Sequence, residues 1–564
     1  MRHNYQGRVW IIVAGLVLVT LVIVARLFQF QVLEARELAA NGDELRNYSA
    51  TRLPVRGSIL DRHGTILAAP GNDFEVDASP ALLIGDQIDD IATALAPLLQ
   101  ESRFQILETI QKAKDGALPW VTLARRVSPE LAERIQALPY AGLYLEPVPR
   151  RLYPQGNLLS HALGYVNFEG EGLSGVERYY QDLLGGRAAT EQRSGDPAAL
   201  RTNLPVVDGA DLVLTIDRTV QYVVEQHLEQ ALKEYAAQSG TIIAMDPRTG
   251  EILAMASRPD FFPYHYADFP VETLTNPAVS MQYEPGSVFK LVTVSAALDS
   301  GVATPQTSFV DTGVFEIGGI TVRNWCRCGY GLIDVTTIIK ESINTGTTFL
   351  STLMGPDILY DYVSRFGFGR PTGIDLSAEY RGEVHMPDSP LWSDSFLGTN
   401  SFGQGIAVTP IQMISAAAAI ANRGVQMQPH LVKEIHYPDG RVEVIKPQVM
   451  SLPIRPETAD ALLGITILSG ELASFEGYVV AGKSGTAQIP EAGGYNPTDT
   501  IASYIGWLPA DAPQLIVMVK LDRPQTSEWG SQTATPTFAG LAQELVLLLD
   551  IPPDSVRLGQ VVTP

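Results

Sequence analysis

Apolar and polar positions along this chain fall into three textures. From Val9 to Ala25 the run VWIIVAGLVLVTLVIVA holds no charge, and Leu27, Phe28, Phe30, Val32 and Leu33 prolong it past Arg26. A helix crosses a bilayer with about 17 to 25 such residues, so 9–33 is predicted to be a membrane-spanning anchor. The second texture, 34–205, mixes helical patterns such as Ile91 to Leu99 with short extended pieces. It opens on TRLPVRGSILDRHGTILAAPG and closes in a polar, Gly-rich segment from Leu183 to about Gly209. In the third, 206–552, DLVLTIDRTVQYVVEQHLEQALKEY passes from an alternating strand into an amphipathic helix. GTIIAMDPRTGEILAMAS reads as a hairpin turning at Asp246 to Gly250, and YVVAGKSGTAQI, ASYIGWLP and QLIVMVKL read as later strands. Strands at both ends with helices between predict an antiparallel sheet whose first and last strands meet, covered by helices. The fold class is therefore α+β: an N-terminal transmembrane helix, an elongated pedestal domain, then a catalytic-type domain. Residues 1–8 and 553–564 are left as tails.

Composition sharpens this picture in two ways. With 62 acidic against 40 basic residues, a net charge of -22, the chain offers no face basic enough to track phosphates, which argues against nucleic-acid binding. A cleaved signal peptide would carry a small-x-small site close behind the apolar run, and none follows. Arg2 and Arg8 precede the span, whereas LEARELAANGDELRN behind it is acidic on balance, so the positive-inside rule puts the tail in the cytoplasm and the rest outside. Cys326 and Cys328, in WCRCGYG, are the only cysteines. They are half a zinc site at best, and a bridge across one residue would be strained, so free thiols are expected and no metal.

The candidate chemistry begins in YEPGSVFKLVTVSAAL, Tyr283 to Leu298, apolar on nearly every side after Pro285-Gly286 and so predicted to be a buried helix. Ser287 falls where an N-cap belongs. Lys290 stands where a capping box would place Glu or Gln, a cation at the positive end of the helix dipole. Dipole and apolar neighbours both lower its pKa, which keeps a neutral amine one turn from a hydroxyl and able to take its proton. Two further motifs follow in order: ESINTG with Ser342 and Asn344 in a turn, and AGKSGTAQ with Lys483, Ser484, Gly485 and Thr486 on a strand. S-x-x-K alone is common by chance. The three together, on helix, turn and strand, match the acyl-serine signature of penicillin-binding proteins and serine β-lactamases.

Nearly the whole chain resembles the class B penicillin-binding proteins, monofunctional peptidoglycan D,D-transpeptidases of the elongation or division type. Beyond the three motifs the resemblance includes RGSILDRHGTILA, RLYPQGNLLSHALGYV, GLSGVERYYQDLLGG, DGADLVLTIDRTVQ and SFGQGIAVTPIQM. His63 stands where the family usually has Asn, and Ser484 where Thr is common. The resemblance implies that Ser287 attacks the penultimate D-Ala carbonyl of a donor stem peptide with Lys290 as base, releasing D-Ala. Ser342 would shuttle the proton and Asn344 bond the donor's backbone. Lys483, Ser484 and Thr486 would hold its terminal carboxylate, and the Ser287 and Thr486 N–H groups would form the oxyanion hole. Gly485 is expected to keep the strand open to a substrate laid along it. No cofactor is implied. The implied ligands are stem peptides on lipid II-derived glycan and β-lactams that acylate Ser287. The implied partner is a SEDS-family membrane glycosyltransferase, and the place is the cell membrane, single-pass, with the catalytic domain outside.

Other readings share parts of this pattern. A class A enzyme needs a glycosyltransferase motif that is absent from the sequence, a β-lactamase or sensor has no use for the pedestal, and a D,D-carboxypeptidase usually lacks it. A non-enzymatic scaffold need not keep Ser287, Lys290, Ser342, Asn344 and Lys483. Among weaker signals, Trp325 reads as simply packed, Arg56 and Asp61 as an ion pair, and Gln404 and Thr409 as support for the site wall.

Overall fold

The computed structural model describes residues 5–34, 48–83, 87–193, 206–491 and 494–559. The stretch 35–47 behind the anchor, most of the polar segment before Gly209 (194–205) and the last residues of the tail lie outside these. The chain forms two compact units, one from Met1–Val55 with Gly186–Gly209, the other from Arg56–Gly185 with Ala210–Pro564. In the first, the apolar run is a continuous helix, Tyr5–Phe28, extended by one wider turn, Gln29–Leu33, and a two-stranded antiparallel ladder joins Tyr48–Arg52 to Ala189–Arg193.

In the second unit the predicted sheet is present. Five antiparallel strands run in the order Ala481–Glu491, Gly494–Leu508, Leu515–Asp522, Ser239–Met245, Ile252–Arg258. The last strand in the chain pairs with the first of the hairpin, Met518 opposite Ile243, so the two ends of the domain meet in the middle of the sheet. Both faces are covered. Ile242, Val517 and Val519 pack with Val220, Leu228 and Phe538, whereas Ile243, Met245 and Met518 pack with Leu291, Val294 and Ile414. That is why these strands read as unbroken apolar runs rather than as alternation. Ala481–Glu491 is an edge strand, paired on one side with Gly494–Leu508 in a register that sets Lys483 opposite Ile505 and Gly485 opposite Ser503.

One strand departs from expectation. Asp211–Leu214, which heads the third texture, joins a different sheet, pairing parallel with Ile59–Leu60 and antiparallel with Val432–His436. Ile66–Ala78, Val121–Val127, Leu143–Leu152 and, beyond Val432–His436, Val442–Val444 complete that sheet, and Gln87–Leu99 and Arg103–Asp115 cover it with a small core of Ile91, Leu95 and Ile110. The expected Arg56–Asp61 pair is not made. Arg56 bonds Glu177 at 2.6 Å, and Arg151 bonds the same fully buried carboxylate at 2.7 Å. Asp61 instead accepts the backbone N–H groups of His63 and Thr65. Its side chain closes its own turn, which leaves Arg56 to a partner 121 residues away.

Candidate active site

Ser287 does not cap a helix. Pro285 already has helical dihedrals, and Gly286–Phe289 form a 3-10 turn that runs into the α-helix Lys290–Asp299. Gly286 makes this entry possible. Its φ is +59°, and a Cβ there would lie 2.8 Å from the Thr486 carbonyl oxygen, so the serine turn seats directly on the edge strand. Tyr283 to Gly286 and Val288 to Lys290 are buried, whereas Ser287 is partly exposed.

Lys290 is fully buried, and its Nζ donates to Ser342 O at 2.7 Å, Asn344 Oδ1 at 2.7 Å and Ser342 Oγ at 3.3 Å. All three acceptors are neutral. Burial therefore pushes the amine well below its ordinary value, helped by the charge of Lys483, and no carboxylate opposes the shift. Ser342 reaches it because its backbone is left-handed, φ 54°, turning the end of Val335–Lys340 into the start of Asn344–Arg365. Asn344 is engaged at both ends, its Nδ2 donating to Arg323 O at 3.0 Å. Its Oδ1 thus helps to orient the Lys290 amine. Lys483, also buried, donates to Ser484 O at 3.0 Å, and burial lowers its pKa to about 8. The Thr486 hydroxyl accepts Gly530 N–H at 3.0 Å.

Ser287, Ser342, Asn344, Lys483, Ser484, Gly485 and Thr486 all line one open groove of about 340 Å³, and Lys290 is bonded to two of them, Ser342 and Asn344. The expected reason for Gly485 is replaced by another. A Cβ there would stand 2.6 Å from Ser503 Oγ and 3.1 Å from Pro285 O and Val288 Cγ1, inside the packing between strand and serine turn. It is a glycine so that the nucleophile's turn can close on the sheet.

Trp325, read from the sequence as simply packed, borders the groove. It meets Trp529 edge to face, centroids 5.6 Å apart, and donates its Nε1–H to Glu341 O at 3.2 Å. Gln404 is in the lining, but Thr409 caps Pro410–Ala421 in a reciprocal box with Gln412. Trp529, Ser531 and Gln532 had no signal beyond their place, EWGSQ, in the turn after the last strand. The cysteines are also corrected. Cys326 and Cys328 form a disulfide, because Arg327 takes a left-handed φ of 54° and brings the Cα atoms to 5.2 Å. Among the described residues no cluster suits a metal ion.

Comparison with known proteins identifies the family. Residues 240–543 match the family model for the penicillin binding protein transpeptidase domain, and residues 51–214 that for the penicillin-binding protein dimerisation domain. Stage V sporulation protein D of Bacillus subtilis is 33% identical over 559 residues, covering 95% of this chain and 85% of that protein. Peptidoglycan D,D-transpeptidase FtsI of Escherichia coli is 29% identical over 574 residues, 99% of this chain and 94% of its own. Among solved structures, a peptidoglycan synthetase from Bifidobacterium adolescentis superposes with a TM-score of 0.72 at 27% identity, covering 90% of this chain and 98% of that one. Penicillin binding protein 3 of Mycobacterium tuberculosis complexed with ampicillin does so with a TM-score of 0.69 at 26% identity, over 91% and 98%.

Proposed function

The chain belongs to the penicillin-binding protein transpeptidase family, and from that premise we propose that it is a peptidoglycan D,D-transpeptidase working through an acyl-serine at Ser287. The observation that carries this reading is the buried Lys290, held on three neutral acceptors at the floor of the groove that Ser287 borders. An amine kept unprotonated there takes the Ser287 proton as the oxygen attacks the penultimate D-Ala carbonyl. The Ser287 and Thr486 N–H groups hold the developing oxyanion. As the C–N bond breaks, the proton passes from Lys290 through Ser342 to the leaving amine. Lys483, still largely protonated at neutral pH, holds the donor carboxylate together with the Ser484 and Thr486 hydroxyls. A β-lactam enters the same path and stays as the acyl-enzyme. Fluorescent penicillin followed by intact-protein mass spectrometry tests it: one adduct on the wild type, none on Ser287→Ala, and an adduct surviving on that variant overturns the assignment.

We further propose that Val9–Leu33, mean hydropathy 2.8 and the one helix among the described residues long and apolar enough to span a membrane, anchors the enzyme with residues 34–205 as pedestal and 206–552 outside the cell. Arg2 and Arg8 ahead of the span support that orientation. A SEDS-family glycosyltransferase is the partner we assign to the pedestal, on the family resemblance of residues 51–214. Co-purification from the native membrane tests that pairing, and recovery without such an enzyme would refute it.

A further inference from the structure

The groove has a single acidic lining residue. Its charged lining residues are Lys340, Glu341 and Lys483, and of these Glu341 alone is acidic. Glu341 is partly buried, and among the described residues its carboxylate has no cationic partner, its charge acting instead on the neighbouring Tyr330 hydroxyl. Its backbone carbonyl receives the Trp325 indole N–H, so Glu341 and the Trp325–Trp529 pair belong to one stretch of rim. It directly precedes Ser342, whose hydroxyl lies 3.3 Å from Lys290 Nζ.

Resting on the transpeptidase reading, we infer that Glu341 binds the ammonium of the acceptor, with the two indoles beside it, and so selects a primary aliphatic amine over water. The electrostatics of the groove demand such a group. An aliphatic amine enters as a cation, while Lys340 and a largely protonated Lys483 repel it. A carboxylate beside the Trp325–Trp529 pair reverses the local sign at one place. That place adjoins Ser342, the group that hands a proton to the leaving amine, and by microscopic reversibility the acceptor nitrogen arrives where the leaving nitrogen departed. The ammonium loses one proton to solvent, and its lone pair attacks the acyl carbon. As the bond from that carbon to Ser287 Oγ breaks, a second N–H proton returns through Ser342 and Lys290 to Oγ, restoring the hydroxyl and the neutral amine.

The test partitions one acyl-enzyme between two fates. The full-length protein is acylated with an N-acyl-D-alanyl thioester, and the ratio of amide to acid product is measured with either Nα-acetyl-lysine amide, a cation, or hydroxylamine, uncharged at pH 7.5. A ratio within one acyl-enzyme is insensitive to how much of a variant folds or acylates. Glu341→Gln should lower the lysine-amide ratio about three- to fivefold, the upper worth of one partly exposed charge contact, and change the hydroxylamine ratio by less than about 1.5-fold. Glu341→Asp should restore part of the loss. An unchanged lysine-amide ratio, or an equal fall with both acceptors, overturns the inference. Absence of any adduct on wild-type Ser287 would instead overturn the reading it rests on.

Discussion

Replacing Lys483 by methionine should stabilise the protein while disabling it. The two side chains have similar length and volume, so the exchange removes a charge without opening a cavity. Lys483 is 1% exposed and its pKa falls to about 8 from the ordinary 10.5. Below about pH 8 both folded and unfolded chains hold the proton, and the folded state bears the whole cost of burying an ammonium. A displacement of about 2.5 units at 1.36 kcal/mol each makes that about 3 kcal/mol. Between about pH 8 and 10.5 the unfolded chain binds more protons than the folded one, so wild-type stability rises with pH, and above 10.5 the cost is gone. Against this gain, methionine forfeits the 3.0 Å bond to Ser484 O, about 1 kcal/mol. Lys483→Met should therefore be more stable than wild type by about 2 kcal/mol at pH 7.5, with the difference shrinking towards pH 10.5. Penicillin acylation should fall about 10- to 100-fold for want of the cation facing the donor carboxylate. Denaturation midpoints of the detergent-solubilised chain at several pH values, beside labelling rates, measure both. A variant less stable than wild type at pH 7.5, or a gap that does not change between pH 8 and 10.5, would refute the reasoning.

Two further outcomes follow from the same floor. Lys290→Arg should slow acylation by at least about a hundredfold between pH 7 and 10, since a guanidinium cannot surrender its proton there; near-normal labelling would mean that another group activates Ser287. Gly485→Ala should destabilise by about 1–3 kcal/mol through the 2.6 Å approach to Ser503 Oγ, with Ser503→Ala recovering part of the loss, and urea midpoints of the single and double variants decide it.

What the sequence made legible was local. Ser287 and Lys290 lie one turn apart, Ser342 and Asn344 share a turn, and Lys483 to Thr486 share a strand, so spacing alone could name them. Groups whose meaning depends on distant packing were not legible. The turn holding Trp529, Ser531 and Gln532 has no pattern of its own and reaches the groove only because the sheet brings the turn after Leu515–Asp522 beside Gly485. Glu177 is a lone acid in a short helix until two arginines from other segments converge on it. For Gly485 the sequence suggested room for a substrate, whereas a Cβ there would point into the packing against the serine turn, because strand alternation gives the spacing of faces but not which face meets that turn. The cysteine pair turned on one backbone angle, at Arg327, that composition does not encode.

The position of Ala481–Glu491 at the sheet's edge carries an evolutionary consequence. Its outward row of peptide N–H and C=O groups borders the groove, so an extended peptide can add as a sixth strand and be read by main chain. A codon change can exchange a side chain but cannot delete a peptide N–H. Under antibiotic selection, escape through the recognition ladder itself is thus closed to single substitutions, apart from a proline that would also break the strand. Variation that lowers drug affinity while sparing cross-linking should therefore gather on the rim away from the two indoles, at Gln404, Ser531 and Gln532.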